Sequence, residues 1–196
     1  MHLVFDIFQG IGIAAAVGIR PFLPGLVVGV LASEDAQIDF AHSDFSFLQS
    51  VPFLLVMVLG TAALVFAERR LGRERLSAGP AALILAGVGV ALGALFFAGA
   101  LARGGYAFWP GLIGGVICAL VGLAATQPLL RRVRDRLDAE SAAALPLFTE
   151  AAAVIAAGLS VLLPPVGLIV LLLLLWLLIA GRGRGEQKYA GLRILR

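Results

Sequence analysis

The chain has 196 residues, of which 61% are hydrophobic and 14% charged, with a formal net charge of +3 and a mean hydropathy of +1.02. Soluble domains are about 45–50% apolar and about 25% charged, and a domain of this length cannot bury so large an apolar excess. The single cysteine, Cys118, excludes a disulfide-stapled fold, and the small net charge argues against nucleic-acid binding. The composition therefore predicts an all-α integral membrane protein.

The first apolar segment, residues 7–32, is interrupted near its middle by Arg20, Pro21 and Pro24. A spanning helix needs about 20 apolar residues, so this segment is too long for one straight span and too short for two. We expect a pair of half-helices that turn back as a hairpin. A single proline-kinked helix is the alternative.

Three ordinary transmembrane helices are predicted next, over residues 51–67, 80–101 and 108–130. Positive residues in short loops mark the cytoplasmic side of a membrane protein. The loop at residues 33–50 has four acidic and no basic residues, so it is expected outside. The ends of the first and third spans are rich in arginine and are expected inside: Arg69, Arg70, Arg73 and Arg75, then Arg131, Arg132, Arg134 and Arg136.

The last apolar segment, residues 148–180, is interrupted by Pro164 and Pro165. It follows the inside arginine cluster and precedes a basic tail at residues 181–196, which is also expected to be cytoplasmic. A single crossing would place the five basic residues of that tail outside. We therefore predict that this segment turns back at the prolines as a second hairpin of half-helices.

The two interrupted segments resemble each other in sequence. Residues 18–24 (GIRPFLP) align with residues 158–164 (GLSVLLP), although chance similarity in a chain rich in Ala, Gly, Leu and Pro is the alternative. Three spans separate the copies, so the second enters the membrane from the opposite side. The predicted fold is three full transmembrane helices flanked by two proline-broken re-entrant or hairpin segments, which form an inverted repeat.

Arg20 is the only basic residue deep inside an apolar segment. A charge at that depth costs a few kcal/mol, which marks the residue as a functional candidate. Pro24 is expected to begin the second half-helix, and the positive N-terminus of that helix together with Arg20 predicts a site for phosphate or carboxylate. The alternative is that Arg20 pairs with an acidic residue or with freed carbonyls and only holds the hairpin together.

The predicted substrate-binding set also includes Gly18 and Gly25 at the break, and Ser160 and Glu150 in the last segment. Ser160 occupies the repeat position of Arg20, so the two hairpins are expected to differ chemically. Glu150 is the expected partner of Arg20 or an acceptor for a proton or cation, although a carboxylate there also complements a helix dipole. Three further polar residues are expected at the level of the lipid headgroups, with the lining of an aqueous vestibule as the alternative: Gln9, Thr126 and Gln127.

Residues 18–24, together with residues 188–193 (KYAGLR), resemble a family of small bacterial membrane proteins that is catalogued as a domain of unknown function. The resemblance covers most of the chain and implies no activity. An Arg-Pro hairpin opposite an inverted one is also similar, more distantly, to the DedA-type membrane proteins, which are linked to moving lipid-linked phosphates. The chain lacks a convincing match to the acidic and second-arginine motifs expected of DedA proteins.

These patterns predict a small transporter or channel in the inner membrane. Its substrate is expected to be anionic or phosphate-bearing, and lipid-linked phosphates are among the candidates. Three full crossings favour a homodimer surrounded by membrane lipid, with the C-terminus in the cytoplasm. The sequence shows no catalytic constellation, metal site or cofactor motif, so we expect no enzyme activity and no cofactor. The alternative function is a non-transporting scaffold that binds a partner or anionic lipid through its basic tail.

Overall fold

The computed structural model describes residues 2–71 and 79–190, and no strand occurs within those two ranges. A short 3-10 helix at Ser46–Gln49 accompanies seven α-helices. The α-helices are α1 (His2–Ile19), α2 (Phe22–Ser33), α3 (Val51–Leu71), α4 (Gly79–Arg103), α5 (Trp109–Arg134), α6 (Ala139–Leu162) and α7 (Pro164–Ala190). The predicted all-helical membrane architecture is confirmed.

Within the described ranges, five helices are long and apolar enough to cross a membrane. Three of them, α3, α4 and α5, coincide with the predicted spans. The other two are α6 and α7, each of span length by itself, so the prediction of half-helices in the last segment is wrong. The error arises because α6 begins upstream of the apolar run, where the carboxylate of Asp138 caps the helix by accepting the Ser141 N–H.

The first segment consists of two shorter apolar helices, α1 and α2. The Arg20 N–H still donates to the carbonyl of Ala16 at 3.2 Å, but Pro21 has no N–H to continue the ladder. α2 begins at Phe22, and not at Pro24 as predicted. Pro24 lies in the first turn, where a missing N–H removes no helical hydrogen bond.

Helices α1 and α2 fold back on each other, with Arg20 at the turn. The side chain of Gln9 in α1 donates a hydrogen bond to the carbonyl of Gln37, which follows α2. Asp6 of α1 pairs with Arg103 at the C-terminal end of α4, and Arg103 also donates to the Gln37 carbonyl at 2.7 Å. The start of α1 and the end of α2 therefore meet at one end of the bundle, opposite Arg20.

Helix α1 occupies the centre of the bundle, where it packs against α4, α5, α6 and α7. The run Ala14–Val17 is fully buried. Small residues let membrane helices approach closely, and a Cβ at Gly18 would collide with the backbone of Ala119 in α5. The small residues of α1 therefore allow α5 to approach α1 closely next to the turn that carries Arg20.

Helix α3 lies at the periphery and exposes most of its apolar surface. Only 6% of its apolar window is buried, and Val51 and Leu59 are 68% and 66% exposed. A soluble monomer rarely exposes so continuous an apolar face, whereas a bilayer solvates it with acyl chains. The surface of the fold therefore agrees with the composition in assigning the chain to a membrane.

Candidate functional site

The guanidinium of Arg20 lies between two carboxylates that come from different helices. Its Nη1 is 3.0 Å from Oε1 of Glu68 in α3, and its Nε is 3.2 Å from Oε2 of Glu150 in α6. The side chains of Arg20, Glu68 and Glu150 are 17%, 15% and 18% exposed. Because largely buried charges are expensive unless they are paired, the two ion pairs stabilise all three groups in this position.

Packing of α2 against α3 brings Glu68 to Arg20. The absence of a side chain at Gly60 makes room for the ring of Phe22, the first residue of α2. Glu68 lies about 12 Å beyond Gly60 along α3, and its carboxylate reaches the turn before Phe22. Glu150 arrives independently, because α6 packs against both α1 and α2.

A cavity of about 140 Å³ opens beside Arg20. Its volume is sufficient for several water molecules or for one small anion. The polar side chains that line it are those of Arg20, Glu68, Thr126, Gln127, Arg131 and Arg134. The triad is therefore not sealed within apolar packing, because two of its members line the cavity.

The electrostatic character of the site is mixed, and its positive groups cluster at the cavity. Three guanidinium groups line the cavity, those of Arg20, Arg131 and Arg134, and one carboxylate, that of Glu68, lines it with them. Guanidinium groups present planar forks of N–H donors that match the oxygens of carboxylate and phosphate. The lining therefore has the donors that an anion needs.

The structure brings two of the other predicted site residues to Arg20. Glu150 forms the expected ion pair, and Gly18 lines the cavity. Pro24 and Gly25 are buried in the first turn of α2, where Gly25 packs near Met57 and Phe96, and neither lines the cavity. They shape the turn without contacting the space beside Arg20.

Ser160 lies far from Arg20, at the break between α6 and α7. It is fully buried, its Oγ donates to the Ala156 carbonyl at 2.6 Å, and it packs against Gly12 of α1. Gly12 is about 12 Å along α1 from Arg20. Ser160 is thus equivalent to Arg20 in the sequence alignment but is not its neighbour in space.

The break between α6 and α7 carries no charged side chain of its own, and buried residues lead to exposed ones there: Ser160 and Val161, then Leu162 and Leu163. Pro164 and Pro165 have no N–H, so the carbonyls of Ser160 and Val161 lose their helical donors. The Nε2 of Gln9 donates to the Val161 carbonyl at 2.9 Å. Gln9 is 1% exposed, and its Oε1 has no hydrogen-bond partner among the described residues.

Sequence reasoning missed Glu68, and it did not anticipate that Gln9 is buried. Glu68 was read as a charge at a helix border, although it is the one acidic residue beside Arg69 and Arg70 at the end of its span. Gln9, expected at the headgroups, is buried in the core, and two others that were expected there line the cavity: Thr126 and Gln127.

Comparison with known proteins gives one result. A family model described as "Domain of unknown function (DUF4126)" matches residues 7–182, a range that includes both breaks and the Arg20 triad. No curated protein and no solved structure matches the chain. The more distant similarity to DedA-type proteins is not shown, and the family description supplies no activity. The chain belongs to the DUF4126 family.

Proposed function

We propose that the chain is a small membrane transporter or channel for an anionic or phosphate-bearing substrate, which binds in the cavity beside Arg20. The observation that carries this proposal is a cavity within a bundle of apolar helices, whose mostly apolar lining includes Arg20, Arg131 and Arg134. A triad that served only to hold the turn together would have no need of such a space.

The site is proposed to lie where two opposed hairpins meet. Along α6, Glu150 contacts Arg20 at the turn of the first hairpin, and Val161 then reaches Gln9 near the opposite end of α1. Helix α7 returns, because the Gly181 carbonyl accepts a hydrogen bond from Arg132 near the end of α5. These contacts support an inverted repeat, and paired breaks of this kind flank substrate sites in secondary transporters.

The cavity is proposed to face the cytoplasm. Arg69 and Arg70 end α3, Arg131 and Arg132 lie in the last turn of α5, and the cavity lies at this end of the bundle. The excess of arginine assigns this end to the cytoplasmic side of an inner membrane. Because the Gly181 carbonyl in α7 lies beside Arg132 at this end, we also propose that the C-terminus is cytoplasmic. A homodimer stays a prediction, which light scattering of the purified protein measures.

The experiment uses purified protein in proteoliposomes with two substrates that share phosphate chemistry. One arm follows uptake of radiolabelled inorganic phosphate, and the other follows flipping of a fluorescent phosphatidylglycerol by its accessibility to dithionite. In whichever of the two assays the wild type is active, Arg20→Ala is expected to lower the transport rate at least about tenfold, since it removes a charge-assisted contact to the anion. The matched control is Arg136→Ala, since Arg136 is exposed and lies beyond α5.

Unchanged transport in Arg20→Ala would refute the proposed site, and inactivity of the wild type in both arms would refute the transport function. The scaffold alternative predicts the reverse pattern, in which removal of residues 181–196 abolishes function and Arg20→Ala only lowers stability. The basic side chains of that tail, Arg182, Arg184, Lys188, Arg193 and Arg196, lie outside the described residues.

A further inference from the structure

The two carboxylates that hold Arg20 differ in their access to the cavity. Glu68 lines the cavity and binds Nη1, a terminal nitrogen of the guanidinium, at 3.0 Å. Glu150 binds the inner nitrogen Nε at 3.2 Å and is not among the lining residues. An anion that enters the cavity therefore meets the guanidinium on the side that Glu68 occupies. Glu68 is the exchangeable partner of Arg20, and Glu150 is the fixed one.

An anion that binds Arg20 beside an ionised Glu68 places a second negative charge next to a carboxylate. Repulsion of this kind at membrane depth opposes binding, because charge there is poorly solvated. This repulsion disappears if Glu68 takes up a proton when the anion replaces its carboxylate as the partner of Arg20. For an anion of one charge, the net charge of the cluster then stays constant.

We propose that anion binding at Arg20 is coupled to protonation of Glu68, which makes a proton the co-substrate of this site. The proposal deepens the proposed function and rests on it. In the exchange, the ion pair between Nη1 and Oε1 of Glu68 breaks, an anion oxygen accepts the guanidinium N–H, and Glu68 gains a proton from water in the cavity. Release of the anion returns that proton to water and restores the ion pair.

The surroundings of Glu68 within the described residues favour an exchange over a simple addition of charge. Three elements bring charged groups to the cluster: Arg20 from the α1–α2 turn, Glu150 from α6, and Arg131 and Arg134 from α5. Helix α4 contributes only apolar lining: Ala82, Leu85 and Ala86. The arginines of α5 attract an incoming anion, and the apolar wall makes the cost of an excess charge larger.

Dimethyl phosphate is a suitable probe, because it is a phosphodiester with one negative charge that does not titrate near neutral pH. Calorimetric titration into the full-length protein in nanodiscs, repeated in buffers of different ionisation enthalpy, counts the protons taken up. The proposal predicts uptake of about one proton per bound anion, and a dissociation constant that rises as much as about tenfold per pH unit above the pKa of the acceptor.

Two glutamine variants of the triad separate the roles of its carboxylates. Glu68→Gln is expected to bind the probe without proton uptake and without dependence on pH, because the amide no longer titrates. Glu150→Gln is expected to retain proton uptake, although with weaker binding. Glu34→Gln, at an exposed position that caps α2, is the matched control and is expected to behave as the wild type.

Each result bears on the proposal. Binding to the wild type without proton uptake overturns the coupling and leaves the proposed function standing, whereas a lack of binding overturns both. Proton uptake that persists in Glu68→Gln, or that disappears only in Glu150→Gln, overturns the assignment to Glu68. An infrared difference spectrum of the wild type with and without probe is independent of folding of the variants. It must gain the band of a protonated carboxyl group, and its absence also overturns the coupling.

Discussion

The two breaks in the helical bundle solve the same backbone problem with opposite chemistry. At the first, Pro21 ends α1, and the turn holds a guanidinium between two carboxylates beside a cavity. At the second, Pro164 and Pro165 end α6, and a freed carbonyl is satisfied by the amide of the buried Gln9. The first break has an ion-paired guanidinium beside a cavity, whereas the described residues of the second break, 162–165, include no charged side chain.

This difference separates what the two proline-broken segments share from what they do not. Both segments retain the glycine and proline that produce a turn, since backbone geometry is required at each site. Only the copy at Arg20 adds a charge, which by itself would destabilise a membrane segment. The charge is therefore the part of the first copy that calls for a functional explanation, and the second copy serves as an internal control for it.

The largest expected contrast is between Arg20→Ala and Ser160→Ala. The first variant leaves Glu68 and Glu150 without their shared cation and is expected to lower stability by about 3 kcal/mol. The second loses a hydrogen bond from Ser160 to its own helix and is expected to change stability by less than about 1 kcal/mol. Thermal unfolding in one detergent compares them.

A double variant sharpens that contrast. Adding Glu150→Gln to Arg20→Ala removes one of the carboxylates that lost its partner, so part of the lost stability is expected to return. Equal unfolding temperatures for the Arg20 and Ser160 variants, or no recovery in the double variant, would contradict the account of the triad as a set of mutually dependent charges.

The next contrast uses the matched glycines of the repeat. A Cβ at Gly18 would collide with the Ala119 backbone, whereas at Gly158 the nearest atom is a Val27 methyl at 3.9 Å. Gly18→Ala is expected to lower the free energy of unfolding by about 1–3 kcal/mol. Gly158→Ala is expected to raise it by about 0.5–1 kcal/mol, because a helical glycine is replaced without strain. Chemical denaturation measures both, and a destabilised Gly158→Ala would mean that the second break is packed more tightly than described.

A smaller effect is expected from the amide at the second break. Gln9→Leu removes the donor to the Val161 carbonyl and is expected to lower the free energy of unfolding by about 1 kcal/mol. Pro165 has no N–H that could donate to this carbonyl in place of Gln9. Gln127→Leu, at the cavity of the first break, is expected to change stability by less than about 0.5 kcal/mol. Thermal unfolding ranks the two variants, and the opposite ranking would show that Gln9 does not support the break.

The smallest effect concerns the loop between α2 and α3, whose Gln37 carbonyl binds Gln9. Hydrogen bonds from the Ala41 N–H and from the side chain of Gln49 hold the pKa of Asp39 below its usual value. Because the pKa of Asp39 is lower in the folded state, its ionised form stabilises the fold at a pH above the pKa of the unfolded state. This contribution is lost as the pH falls through the pKa of the folded state. Asp39→Asn is therefore expected to flatten the loss of thermal stability below about pH 4. An unchanged acid profile would contradict this role.

The sequence was sufficient wherever backbone chemistry decides the structure. The prolines located both breaks, because a missing N–H interrupts a helix in any context. The pairing of Arg20 with Glu150 was also anticipated, since a buried charge requires a partner. Apolar length recovered α3, α4 and α5, but it failed for α6, whose start is set by the Asp138 cap and whose first turn contains Glu140 and Ser141.

Features that depend on packing were not accessible from the sequence. Glu68 reaches Arg20 only because Phe22 fits against Gly60, a contact between distant parts of the chain. Ser160 was placed with Arg20 because the two positions align in sequence, whereas in the fold Ser160 packs against Gly12, away from the turn that carries Arg20. The cavity itself is formed by α3, α4 and α5 around the turn, and no local pattern encodes it.

The central claim is that anions bind at the first break and not at the second. Crystals grown with selenate, a tetrahedral anion that scatters anomalously, test it directly. The account predicts an anomalous peak in the cavity within hydrogen-bonding distance of Arg20, with Arg131 or Arg134 as a further donor. No peak at Arg20, or a peak beside Gln9 and Ser160 in its place, would contradict it.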